Sequence, residues 1–92
     1  MTFLNELDNL LETRFKDRPE GSYTTSLFDA GVDRIARKIG EEAAELIVAA
    51  KNQDNEECRN EAADLLFHLM VLCRSQGISL ADVEAVLKDR SV

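Results

Sequence analysis

Five carboxylates in two short runs carry the chemistry legible in this chain: Glu41, Glu42 and Glu45 in the first, Glu61 and Asp64 in the second. Glu42 and Glu45, like Glu61 and Asp64, are spaced i, i+3, which on a helix sets both acids on one face. Oxygen-only pairs of this kind suit a hard divalent cation, Mg²⁺ first and Mn²⁺ almost as well. Two antiparallel helices that each offer such a pair can hold the ion against a phosphate substrate. Glu42 adds a second signal, because the steps from Ile35 through Ile39 and Glu42 to Leu46 assign it to an apolar helix face. An ionised, unpaired carboxylate there loses much of its hydration, so a metal or the ammonium of Lys38, one turn earlier, must compensate it. Folding the chain at residues 52–54 would gather Glu42, Glu45, Glu61 and Asp64 into one cluster, whose mutual repulsion calls for one or more Mg²⁺ or Mn²⁺ ions. A single pair of acids at this spacing is commonplace on a solvated helix face. Two pairs, one with a member on an apolar stripe, favour a metal site.

The neighbouring residues read less sharply. Arg34, Arg37, Lys38 and Lys51 can answer the acids in ordinary ion pairs or grip phosphate oxygens, with Lys38 the best placed. The run Ser22, Tyr23, Thr24, Thr25 fits turn and capping chemistry as well as it fits ligand binding. His68 is expected at the edge of the core, bonded to a neighbouring carboxylate and outside the metal shell, since an all-oxygen site needs no imidazole. Gly40 sits inside a helical pattern at a cost of about 1 kcal/mol relative to alanine. That cost points to a close helix contact or to a ligand lying against the backbone.

The elements that must position these groups are helical. Phe3, Leu4, Leu7, Leu10, Leu11 and Phe15 trace one apolar stripe, and Pro19, Glu20 and Gly21 end it. Residues 21–26 read as a hydroxyl-rich loop, and 27–30 as a short helical turn closed by Gly31. A second helix is predicted from about Val32 to Lys51. Asp54, with Glu57 three residues on, resembles a capping box that starts a third helix, which runs to about Ser75 with Gly77 as its C′ residue. Ser79 with Asp82 starts the last helix, on Leu80, Val83, Val86 and Leu87. No β alternation is present, so the fold class is all-α, a bundle of four to five helices forming one domain over residues 1–92. From Ala62 to Cys73 the third helix is apolar almost all round, which predicts cover on both sides. The face of Phe67, Met70 and Val71 is expected to be left for a second subunit, so that dimerisation completes the bundle in a homodimer or larger homo-oligomer.

The formal charge of −7 and pI near 4.6 exclude passive binding to nucleic acid or to an anionic membrane. Any phosphate ligand must bring cations with it. Cys58 and Cys73 fall too far apart on one predicted helix to pair. The first residues lack a basic, then apolar, export signal, and no apolar run has membrane-spanning length, which predicts a cytoplasmic protein. There is no Gly-rich phosphate loop, zinc-spaced cluster or serine nucleophile motif.

Three segments resemble a known family: R-P-E-G-S-Y-T at 18–24, D-R-I-A-R-K-I-G-E-E-A-A-E at 33–45 and N-E-A-A-D-L-L-F-H-L at 60–69. They are similar to phosphoribosyl-ATP pyrophosphohydrolases. The E-E-x-x-E and E-x-x-D pair is shared with the wider all-α nucleoside triphosphate pyrophosphohydrolase superfamily, whereas the S-Y-T loop and the K-x-G-E-E-A-x-E context are more specific. The resemblance implies Mg²⁺-dependent hydrolysis of N1-(5-phosphoribosyl)-ATP to N1-(5-phosphoribosyl)-AMP and pyrophosphate, the second step of histidine biosynthesis. It carries the metal ligands onto Glu42, Glu45, Glu61 and Asp64, with Glu41 as an additional acid. Glu41 and Glu45 are the candidates for the base that orients water. Lys38, with Arg34, would hold phosphate oxygens, and Ser22, Tyr23 and Thr24 would contact the ribose phosphate or base. Two other classes stay open: a housecleaning pyrophosphohydrolase of non-standard nucleotides, and a non-catalytic helical assembly module.

Overall fold

The computed structural model describes residues 2–90, which hold five helices and no strand. Residues 1, 91 and 92, which the single-domain expectation also took in, lie outside the described residues. The helices are α1 (Phe3–Asp17), α2 (Tyr23–Ala30), α3 (Val32–Lys51), α4 (Asn55–Ser75) and α5 (Leu80–Arg90). The chain is therefore all-α, and α3 and α4 run at the bounds expected of them.

The α2 helix corrects the loop expected over residues 21–26. Ser22 Oγ accepts the backbone N–H of Thr25 at 3.2 Å, so the helix begins at Tyr23, a full turn before Leu27. Two consecutive threonines lower the local helix propensity, but burial of Leu27 and Phe28 against Leu11, Ile35, Met70 and Val71 outweighs that loss. Phe15 closes this core with its ring edge-on to Phe28, centroids 4.9 Å apart.

Helices α3 and α4 form the most extensive pairing in the molecule. Their connection is tight: Gln53 takes a left-handed conformation at φ 58°, and Asp54 Oδ1 accepts the N–H of Glu57 at 3.1 Å. At the far end of α4, Gly77 at φ 75° lets the N–H of Ile78 reach back to the Cys73 carbonyl at 2.9 Å. Ser79 and Asp82 then cap α5 reciprocally, at 3.0 and 3.1 Å.

The orientation of α4 reverses the expectation. Met70 and Val71 are buried in the chain's own core, with Phe67 packed against them. Leu66 and Leu69 instead face outward, 38% and 43% exposed. The helix is apolar nearly all round, so its periodicity names no inward face.

A second buried charge sits away from the paired carboxylates. Asp8 accepts both Nε and Nη2 of Arg74, at 3.1 and 2.7 Å, and the backbone N–H of Leu80 at 3.0 Å. This contact ties α1, α4 and the start of α5 together. Among the described residues, Cys58 and Cys73 are both free thiols, and no helix is long and apolar enough to cross a membrane.

Candidate metal centre

The α3–α4 hairpin brings three of the five acids of the two runs together. One carboxylate oxygen from each of Glu42, Glu45 and Glu61 lies within 4.8 Å of the others. Glu42 and Glu61 are buried, 7% and 8% exposed, while Glu45 opens to solvent. Asp64, one turn beyond Glu61, is exposed and falls outside that set of three. Glu41 is also outside it, its carboxylate 3.7 Å from Lys38.

Three acids so close cannot all be ionised without a compensating cation. Lys38 supplies part of the compensation, with Nζ 3.3 Å from Glu42. Hydrogen bonding to Glu42 raises the Lys38 ammonium above its usual range, with smaller contributions from Tyr23 and Glu41. The rest falls on Glu61, whose carboxyl is pushed up to about 8 by hydrogen bonding to Glu42, then Glu45, by burial, and by Glu57. Glu42 is lowered by the same bond to Glu61 and by Lys38. Glu61 thus keeps a proton that Glu42 has lost. Its Oε2 is nevertheless buried without a hydrogen-bond partner among the described residues.

An orphaned, buried carboxylate oxygen beside two further acids fits a hard divalent cation. Glu42, Glu45 and Glu61 could hold such an ion. A cavity of about 400 Å³ opens next to them, lined by Glu45, Val48, Asn52, Asp54, Glu57 and Glu61. Glu57 was read from the sequence only as a capping residue. Its i, i+4 spacing to Glu61 is the signal that places it at the same edge.

His68 is buried, as expected, but its partners are not carboxylates. Nε2 lies 2.9 Å from the Tyr23 hydroxyl, and Nδ1 lies 2.7 Å from the backbone carbonyl of Asp64. Both ring nitrogens are engaged, which keeps the imidazole out of the metal shell. Of the other expected ligand-contacting residues, Ser22 caps α2, Thr24 is half-buried beside it, and Arg34 is exposed on the first turns of α3. Gly40 has no close neighbour: a Cβ built there meets nothing within 4 Å. Of the two readings of this glycine, the close helix contact is absent among the described residues.

The family model for phosphoribosyl-ATP pyrophosphohydrolase matches residues 4–91. The phosphoribosyl-ATP pyrophosphatase of Leptospira biflexa is 52% identical over 90 residues, 98% of either chain. The histidine biosynthesis bifunctional protein HisIE of Bacillus subtilis is 56% identical over 87 residues, covering 95% of this chain and 42% of that protein. Its counterpart in Xanthomonas axonopodis pv. citri is 49% identical over 88 residues, 43% of its length. The chain spans about two fifths of the length of these bifunctional relatives.

Proposed function

The chain belongs to the phosphoribosyl-ATP pyrophosphohydrolase family, and from that premise we propose that residues 1–92 act as one domain that hydrolyses N1-(5-phosphoribosyl)-ATP. Water and this nucleotide give N1-(5-phosphoribosyl)-AMP and pyrophosphate, the second step of histidine biosynthesis, in a Mg²⁺-dependent reaction. The observation that carries the reading is the convergence of Glu42, Glu45 and Glu61 around an unsatisfied buried oxygen.

Glu42, Glu45 and Glu61, with Asp64 as a fourth ligand, would hold the cation, and Mn²⁺ would substitute for Mg²⁺. Bound there, it supplies charge neutralisation and Lewis-acid polarisation at the phosphate oxygens. Glu45 is solvent-open within the acidic set, so its carboxylate can accept the proton of the attacking water. Glu41 is the second candidate for that role and also holds Lys38. Lys38 and Arg34 offer cations to the phosphates, while Ser22, Tyr23 and Thr24 border the sugar or base end. The bond that breaks joins the α and β phosphorus atoms through oxygen.

A homodimer, or a larger homo-oligomer, is part of the same proposal. Its support is the outward Leu66 and Leu69, which line an apolar cavity of about 240 Å³ with Leu80, Val83 and Leu87. A cytoplasmic setting accords with the two free thiols.

The test is pyrophosphate release from phosphoribosyl-ATP, measured beside a panel of free nucleoside triphosphates, with Mg²⁺ and with chelator. Release confined to phosphoribosyl-ATP and abolished by chelator is expected. Preference for non-standard triphosphates would instead assign the housecleaning activity, and no Mg²⁺-dependent turnover or thermal shift would leave only an assembly module.

A further inference from the structure

We propose that His68 fixes the hydrogen-bond polarity of Tyr23, so that the phenol oxygen of this half-exposed residue serves as an acceptor for a donor group of the substrate and takes no part in holding phosphate. The inference rests on the functional reading above and adds the division of the site into a phosphate end and a sugar or base end.

The argument begins at a carbonyl. The backbone oxygen of Asp64 can only accept, so His68 Nδ1, at 2.7 Å from it, carries the hydrogen. In the neutral ring the other nitrogen is then bare. Nε2 accepts, and the Tyr23 hydroxyl at 2.9 Å donates to it. The single phenolic hydrogen is thereby committed.

The arrangement is held from several sides. His68 is 5% exposed, and its ring stands edge-on to Phe67 at 5.2 Å and to Tyr23 at 5.9 Å. Tyr23 in turn lies nearly parallel to Phe67, at 6.4 Å and 24°. A flipped imidazole would put a ring carbon against the Asp64 carbonyl and lose that bond. Tyr23 starts α2 directly after the Ser22 cap, which fixes its backbone. Yet the residue as a whole is half exposed, at the surface of the bundle.

Position gives the arrangement meaning. The Tyr23–His68 couple borders the acidic site through Asp64, whose backbone carbonyl holds the imidazole. Phosphate oxygens at neutral pH are acceptors, and two acceptors facing each other have no hydrogen to share. Lys38 can receive a phosphate; Tyr23 with its hydrogen spent cannot. Its lone pairs suit an O–H or N–H, and on a nucleotide these belong to the sugar hydroxyls and the exocyclic amine. Tyr23 therefore marks the boundary at which phosphate recognition ends. His68 touches no substrate in this scheme and is a positioning residue.

Three measurements test it. His68 is the only histidine in the chain, so long-range ¹H–¹⁵N spectra of its ring are unambiguous. They should show hydrogen on Nδ1, with the Nε2 signal moving in Tyr23→Phe. Hydrogen on Nε2 would overturn the proposal whatever the enzyme does.

Kinetically, Tyr23→Phe and His68→Ala should each raise KM for phosphoribosyl-ATP about tenfold, with kcat changed far less, as the loss of one oriented hydrogen bond predicts. The double variant should be no worse than the poorer single one. His68→Gln, whose amide oxygen can take the phenolic hydrogen, should recover most of the loss and serves if His68→Ala fails to fold. Inhibition by free pyrophosphate should be equal in wild type and Tyr23→Phe. Weaker pyrophosphate inhibition in Tyr23→Phe, or additive effects of the two substitutions, would sink the inference.

The third comparison uses deoxy-sugar analogues of the substrate. A penalty in wild type that vanishes in Tyr23→Phe assigns a sugar hydroxyl, and one that persists unchanged assigns the amine. An active wild type that fails these tests removes this inference alone, whereas a wild type that releases no pyrophosphate removes the functional reading and leaves the ring spectra to judge His68.

Discussion

The molecule buries carboxylates in two places and treats them in opposite ways. Asp8 is saturated: a bidentate guanidinium from Arg74 and the Leu80 N–H occupy its oxygens. Glu61 is left with a raised carboxyl and an orphaned oxygen, and Lys38 is bound to its neighbour Glu42. Satisfied buried charge holds structure together, whereas unsatisfied buried charge is held open by the surrounding packing and is available for a ligand. The contrast separates a fastening from a site within one small bundle.

The largest effect should come from the open cluster. Glu42→Gln is expected to lower kcat/KM for phosphoribosyl-ATP by about 10²–10³-fold, measured as pyrophosphate release, while the helical circular dichroism stays unchanged. Activity within a few-fold of wild type would remove Glu42 from the metal shell. At the fastening the expected pattern is reversed. Asp8→Ala leaves the Arg74 guanidinium only its partly exposed Glu12 partner and the Leu80 N–H without one, and should cost about 2 kcal/mol of stability, read from the denaturant midpoint, with turnover per folded molecule retained.

Acidity gives the open cluster a further signature. Glu61 titrates near 8 in the folded chain against 4.5 for an ordinary glutamate, so the folded state binds the extra proton between those values. Stability contributed by that proton is complete below pH 4.5 and is lost as pH rises through 8. The metal-free protein should therefore melt at falling temperature across this window. Saturating Mg²⁺ should flatten the slope and release a proton on binding, and an unchanged slope would show that the ion does not meet Glu61. The smallest effect concerns Gly40. Since a Cβ there meets nothing, Gly40→Ala should stabilise the isolated fold by up to about 1 kcal/mol. A gain in stability with a loss of turnover would show that the bare backbone serves a ligand or a second subunit.

These contrasts were unevenly legible in the chain. Helices α3 and α4 declare themselves through their periodicity, the Asp54 cap and Gly77, so the pairing of Glu42 and Glu45 with Glu61 follows from local signals. Helix α2 hides because Tyr23, Thr24, Thr25 and Ser26 favour turns, and only the distant core partners of Leu27 and Phe28 make them helical. The inward face of α4 was unreadable for a different reason: a helix apolar on every side carries no phase. Asp64 shares a helical face with Glu61 yet stands outside the three converging acids, since a shared face does not fix which turns of two packed helices meet. The Tyr23–His68 bond and the Asp8–Arg74 fastening join residues 45 and 66 positions apart. No local pattern encodes such pairs.

The Leu80 N–H bound by Asp8 lies 72 positions along the chain from it, and α5 has no buried residue of its own. Closing so long a loop gains little contact in return. In deuterated solvent the amides of α5 should therefore exchange early, through brief departures of that helix, while those at the centre of α3 and α4 persist until the whole chain opens.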